Sequence, residues 1–310
     1  MRLNEILGIK YPIIQGGMAN IATGEFAAAV SNTGALGIIG SGAMDGETLR
    51  THIRACKERT DKPFGVNLML MNPLSDDLAR VIVEENVPVV TTGAGSPSKY
   101  IEQWKAQGIK IFPVVACVAQ AIRMERYGVD GIIAEGTEAG GHVGELTTMT
   151  LIPQIVENVS LPVVAAGGIA NGKQMLATRI LGACGVQMGT ALLVSEECPI
   201  HINYKNALIE AKDTDTMVTG RISGSPVRAL KNSMTREYIS LEKKGVTGVE
   251  LEKIAIGGLK RAAFQGDVKN GSVMAGQVCG QLKEIKSLKE IFERITEEYK
   301  LELQKICGDE

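Results

Sequence analysis

LPVVAAGGIANGKQMLATRILGACGVQMGT, residues 161–190, contains the pattern that decides the fold. Two short apolar runs, 161–168 and 185–189, flank a segment of helical periodicity at 172–180, and each run closes on glycine. Gln187 is the one polar side chain in the two runs. Both faces of each strand are therefore expected to be buried, as in a parallel sheet covered by helices. Strand, helix and strand in one uninterrupted stretch make a βα repeat.

Working outward, the same alternation recurs from residue 12 onward. Strands are expected at 12–17, 36–40, 64–69, 87–93, 110–115 and 131–136, which with the first two make eight. Helical periodicity falls between them at 24–32, 46–59, 75–85, 97–106, 117–127 and 151–158. Eight units within residues 12–192 fit a closed (β/α)8 TIM barrel better than an open sheet. The sequence thus predicts a barrel over 1–192. A C-terminal cap and helical extension, 193–310, is expected to pack on it, ending in the amphipathic SLKEIFERITEEYKLELQKI.

Composition narrows the function. A net charge of −2 and a 4% aromatic share give no footing for a nucleic-acid partner. No apolar run is long enough to span a bilayer, so no membrane insertion and a cytoplasmic location are expected. The 6 cysteines form no CxxC pair, and the 3 histidines have no metal-ligand spacing, so no metal is expected. Cys184 precedes the active-site end of its strand and reads as a core residue. His52 and His201 read as structural or exposed.

The 36 glycines belong to no repeat, and several cluster at strand ends, where a barrel assembles its site. Gly167 and Gly168 after the seventh strand, with Gly189 and Thr190 after the eighth, form an expected phosphate cradle of bare backbone N–H groups. Tight βα turns are the plainer reading of each alone. The segments QGGM, TTGAG and EAGGH suit a flat cofactor across the barrel mouth. Asn67 and Gln187 are candidates for amide contacts to its polar edge, or for structural amides holding loop carbonyls. His142, set after Gly140 and Gly141 at the site face, is the candidate to contact substrate or deliver a proton. Met18 and the apolar loop after Asn67 suit a substrate pocket.

Several long segments carry a family resemblance: YPIIQGGMANIATGEFAAAVSNTGALGIIG (11–40), DKPFGVNLMLMNP (61–73), IIAEGTEAGGHVGELTTMTLIPQI (132–155), VVAAGGIANG (163–172), GVQMGT (185–190) and GDVKNGSVMAGQ (266–277). The chain resembles the FMN-dependent enoyl-acyl-carrier-protein reductases II, within the nitronate monooxygenase superfamily. That resemblance implies noncovalent FMN at Gly16, Gly17, Met18, Asn67, Glu135, Gly140, Gly168, Gln187, Met188, Gly189 and Thr190. It implies NADH or NADPH as co-substrate and an acyl-carrier protein bearing a trans-2-enoyl thioester as partner. Arg228, Lys231, Arg236, Lys260 and Arg261 are then candidates for a basic docking edge. Homodimers are frequent in the family, and some members respond to a monovalent cation. Glu135, where many nitronate enzymes carry glutamine, favours the reductase branch. Oxidation of nitronates by FMN and oxygen is the alternative activity, and a non-enzymatic FMN-binding module is the alternative from another class.

Overall fold

The computed structural model describes residues 2–246 and 248–308. The barrel strands are β1 (Ile13–Gln15), β2 (Gly37–Gly40), β3 (Phe64–Met69), β4 (Val89–Gly93), β5 (Lys110–Val115), β6 (Ile132–Glu135), β8 (Val163–Ala166) and β9 (Gly185–Met188). They pair in parallel in the order β1-β9-β8-β6-β5-β4-β3-β2. The ring closes between β1 and β2, where Gln15 N–H donates to Leu36 O at 2.9 Å and Leu36 N–H to Ile13 O at 2.9 Å. The TIM barrel expected from the sequence is present, and its seven expected connecting helices form, with ends shifted by at most three residues.

Two apolar layers hold it. Outside, Leu49, Ile53, Leu78, Trp104, Leu151 and other helix residues bury against the outward strand positions. Inside, Ile14, Ile38, Val89, Phe112, Ile133 and Val164 fill the lower barrel with Leu3 and Leu7. The last two come from a short helix, Leu3–Leu7, that plugs the N-terminal end of the barrel, with Leu3 N–H donating to Cys184 O. Gly185 makes the plug possible, because a Cβ there would lie 2.5 Å from Leu3 Cδ2.

After β9 the chain leaves the barrel. It runs through helix Ile202–Glu210 and a hairpin of β10 (Thr216–Thr219) and β11 (Val227–Leu230), which the sequence presents only as an irregular polar stretch. β11 also pairs antiparallel with β7, the two residues Gly141–His142. The terminal helix Leu288–Gly308 then returns to pack between helices Gly172–Ile180 and Gly24–Thr33, the place of the eighth outer helix. Its approach is close at Gly172, whose Cβ would sit 2.3 Å from Tyr299 N and 2.4 Å from Ile295 O. Gly172→Ala is expected to destabilise the fold by about 2 kcal/mol through overpacking. Urea unfolding measures this, and an unchanged midpoint would mean that the helix pair gives way without cost.

Candidate active site

Inward-facing strand positions alternate, so the residue two places after each lower-barrel side chain rises to the upper layer. Gly16 follows Ile14, Asn67 follows Gly65, Val114 follows Phe112, Glu135 follows Ile133, and Gln187 follows Gly185. These five positions line the base of a cavity of about 260 Å³ at the C-terminal mouth of the barrel. Gly17, Met18, Gly140, His142, Gly168, Gly189 and Thr190 also line it, so ten of the expected cofactor positions and His142 share one space. Met188 does not line it. Its side chain is buried in the outer core, while its carbonyl accepts from Gly16 N–H at 2.8 Å.

Gly167 and Gly168 both adopt left-handed backbone, φ 86 and 72. A Cβ on Gly167 would lie 2.7 Å from Gly136 O, so the turn accepts no side chain there. The N–H groups of Gly168, Gly189 and Thr190 have no protein acceptor among the described residues. The helix that begins at Thr190 is only four residues long, Thr190–Leu193, so bare N–H groups rather than a helix dipole are what this corner offers a ligand. Among the described residues, no lysine or arginine lines the cavity. Glu138 lies beside Gly168, but its carboxylate accepts from Thr148 N–H, and Thr148 Oγ1, with a single hydrogen to donate, lies within reach of both Glu138 Oε2 at 3.1 Å and Gly167 O at 2.9 Å. The acid thus braces the glycine turn.

The two amides differ. Asn67 Nδ2 donates to Thr91 Oγ1 at 2.9 Å, which fixes its rotamer and leaves Oδ1 to the cavity side. Gln187 Oε1 is buried without a hydrogen-bond partner among the described residues, a polar atom that a ligand donor would satisfy. Gly17 has to be glycine, since its Cβ would fall 2.4 Å from Asn67 Cβ. At Gly140 the constraint comes from the cap, whose Ala275 backbone would lie 2.7 Å from an added Cβ.

The Glu135 carboxyl makes no hydrogen bond or ion pair among the described residues, and desolvation pushes its pKa up to about 7. The folded pKa lies above the ordinary 4.5, so the folded chain holds this proton more tightly, and stability falls as pH rises from about 4.5 to about 7. Glu135→Gln removes that loss. The ligand-free variant is expected to exceed the parent in stability by roughly 2 kcal/mol at pH 8, a figure discounted because the carboxyl faces the open cavity. The two should be nearly equal at pH 4.5. Denaturant unfolding at both pH values reads the difference, and equal stability at pH 8 would show that the carboxylate is not strained.

His142 stands at the rim. Its backbone is held by β11, with Val143 N–H donating to Pro226 O at 3.2 Å, and its ring is exposed toward the cavity and an adjoining groove. Desolvation lowers its pKa from the ordinary 6.5, which favours neutral imidazole at neutral pH. The other histidines have structural partners: His52 Nδ1 accepts from Gly24 N–H and His201 Nδ1 from Asn203 N–H. Burial pushes the Cys184 thiol up to about 11.

The cap supplies wall residues that sequence reading did not single out. Leu259, Met274, Gly276 and Val278 line the cavity, and Gly276 N–H donates to Thr190 Oγ1 at 2.9 Å. The glycine-punctuated GSVMAGQ signals Met274 and Gly276 but does not reach Leu259 or Val278. The expected basic edge needs correction at Arg228. That side chain is 7% exposed, its Nε donates to Thr137 O and its NH1 to Thr216 Oγ1, so it joins β10, β11 and the loop after β6 rather than facing a partner. Arg261 is half-buried and caps the carbonyls of Ile254 and Ile256. Lys231, Arg236 and Lys260 remain exposed. Among the described residues, no cluster of three His, Cys, Asp or Glu side chains is placed to hold a metal, and no helix is long and apolar enough to cross a membrane.

The family model for nitronate monooxygenase matches in two segments, residues 1–83 and 75–298. The chain belongs to the nitronate monooxygenase family. This family member is 38% identical over 278 residues to a probable nitronate monooxygenase of Staphylococcus saprophyticus, covering 74% of this chain and 78% of the relative. Among solved structures it is similar to FabK from Thermotoga maritima, with 46% identity, a TM-score of 0.97, and 99% of this chain and 98% of that one covered. A nitroalkane oxidase from Streptomyces ansochromogenes matches at 25% identity and a TM-score of 0.88, over 98% of this chain and 99% of the other. The nitronate monooxygenase family fold thus extends through the cap and the terminal helix.

Proposed function

We propose that the protein is an FMN-dependent enoyl-acyl-carrier-protein reductase of fatty-acid synthesis, oxidising NADH or NADPH and saturating a trans-2-enoyl thioester. The observation that carries this reading is the match to FabK over 99% of the chain. The residues present fit FMN: a glycine turn with free N–H groups suits its phosphate, and the unpartnered Gln187 Oε1 suits the polar edge of its ring. Bound FMN would supply the hydride storage that links the two substrates.

The chain's own groups then divide the work. Gly168, Gly189 and Thr190 hold the phosphate through backbone N–H groups, with Glu138 and Thr148 keeping the turn in shape. Asn67, Glu135 and Gln187 offer hydrogen bonds to the ring, and Gly16, Gly17 and Gly140 let it approach the backbone. Met18 and Met274, which line the same cavity, would help to exclude water from it. Neutral His142 offers an N–H to the thioester carbonyl, where it stabilises negative charge that develops as hydride reaches the β-carbon. The α-carbon takes its proton from solvent, which reaches it at the rim beside the exposed His142. Exposed Arg236 and Lys260 are the candidate basic groups left to meet an acidic carrier protein, since Lys231 Nζ donates to Thr214 O. The reading includes a cytoplasmic homodimer, which sedimentation of the FMN-loaded protein tests.

Nitronate oxidation, the activity named by the family and the curated relatives, is the competing reading. Anaerobic reduction of the FMN-loaded protein by NADH, followed by a trans-2-enoyl thioester, separates them. Return of the oxidised flavin band with formation of saturated thioester is expected. Reoxidation only by oxygen or in the presence of a nitronate would overturn the reductase assignment.

A further inference from the structure

A second recess opens beside the cavity and shares His142 and Met69 with it. Its volume is about 530 Å³, and it lies between the loop after β2, Gly42–Asp45, and the loop after β3, Met69–Leu74. The two loops are locked together. Asn72 is buried, and its Nδ2 donates to Met44 O at 2.9 Å and Ser41 O at 3.4 Å while its Oδ1 accepts from Leu74 N–H. The backbone walls are therefore fixed, whereas the lining side chains Met44, Met69, Met71 and Leu74 are long and adaptable.

At the outer end, Met71 is 63% exposed and Leu74 46% exposed among the described residues. Large apolar side chains grouped at the rim of a site mark a surface that a ligand completes. The lining has no lysine or arginine, and Asp45, its one carboxylate, accepts the N–H of Thr48 as a helix cap. With three methionines, Leu74, Ala43 and Pro73 making up most of the lining, that chemistry suits a neutral aliphatic chain. At the inner end, a Cβ on Gly42 would lie 3.0 Å from Ala19 Cβ, so glycine keeps the floor open where the groove meets the cavity.

We propose that this methionine-lined groove seats the acyl tail of the thioester substrate, with His142 at the junction holding the carbonyl. The inference rests on the reductase reading for the identity of the thioester. A tail running outward from His142 buries successive methylenes against Met69, Met44, Leu74 and Met71. Each methylene is expected to raise affinity about fourfold until the tail passes Met71.

Calorimetric titration of the FMN-loaded protein with saturated acyl N-acetylcysteamine thioesters of increasing length tests this without turnover, and enoyl turnover is measured separately. Affinity is expected to climb with chain length in the parent, and the slope to flatten in Met71→Ser/Leu74→Ser. Both residues are exposed, so the double variant should fold. A length-independent affinity, or a slope unchanged in the variant, would overturn the proposal and leave the groove to the pantetheine arm or to nothing. A length-dependent affinity without enoyl reduction would retain the groove and reject the reductase assignment, so the two can fail independently.

Discussion

Replacing Gly168 with valine is expected to lower FMN affinity about 100-fold, the sum of backbone strain and a blocked N–H cradle. Gly168 sits at φ 72, and its Cβ would lie 3.3 Å from Glu138 Cβ. Left-handed backbone costs an L-residue roughly 1–2 kcal/mol, and the β-branch leaves valine few rotamers with which to avoid Glu138. Any relaxation that relieves the clash also rotates the Gly168 N–H away from those of Gly189 and Thr190. Gly168→Ala carries the strain without the branch, and its loss should be about tenfold. Titration of free FMN, followed by its fluorescence, gives both affinities. Parent-like binding in the valine variant, with native circular dichroism, would dismiss the cradle and return the glycines to service as turns.

His142→Ala should slow the enoyl half-reaction by roughly 100-fold to 1000-fold, the scale of one positioned proton or hydrogen-bond donor. The imidazole is exposed at the junction of cavity and groove, and its backbone is held by pairing with Val227. Its loss should leave a local gap rather than a collapse. Reduction of the flavin by NADH does not use the thioester carbonyl and is expected to stay within a few-fold of the parent. His142→Gln keeps an N–H near the same place and should recover part of the rate. Stopped-flow measurement of the two half-reactions reads these outcomes separately. An enoyl half-reaction as fast in alanine as in histidine would remove His142 from the chemistry.

Much of this molecule was legible in its sequence. The unbroken apolar runs and the periodic segments between them specify parallel strands covered by helices, and eight repeats leave closure as the arrangement without exposed edges. Strand ends marked by glycine gave the site face, because a barrel gathers those ends at one mouth whatever their separation along the chain. Other features had no local signal. Arg228 looks like any surface cation in VRALKN, yet its guanidinium is consumed by Thr137 O and Thr216 Oγ1. Leu3 and Leu7 look like an ordinary amphipathic start, yet they fill the barrel floor beneath Gly185. Met188 lies within GVQMGT between two cavity residues, but strand alternation turns it outward into the core.

The sequence by itself therefore determined the barrel, the mouth at which its loops meet, and the glycine turns there, since each follows from periodicity and backbone freedom within a few residues. Only the tertiary structure decided which polar atoms reach the cavity unpartnered, how the cap closes over it through Met274 and Gly276, and where a methionine-lined groove continues from His142. Those depend on contacts between residues far apart in the chain. Local pattern carries no information about which distant carbonyl, amide or side chain will complete a given group.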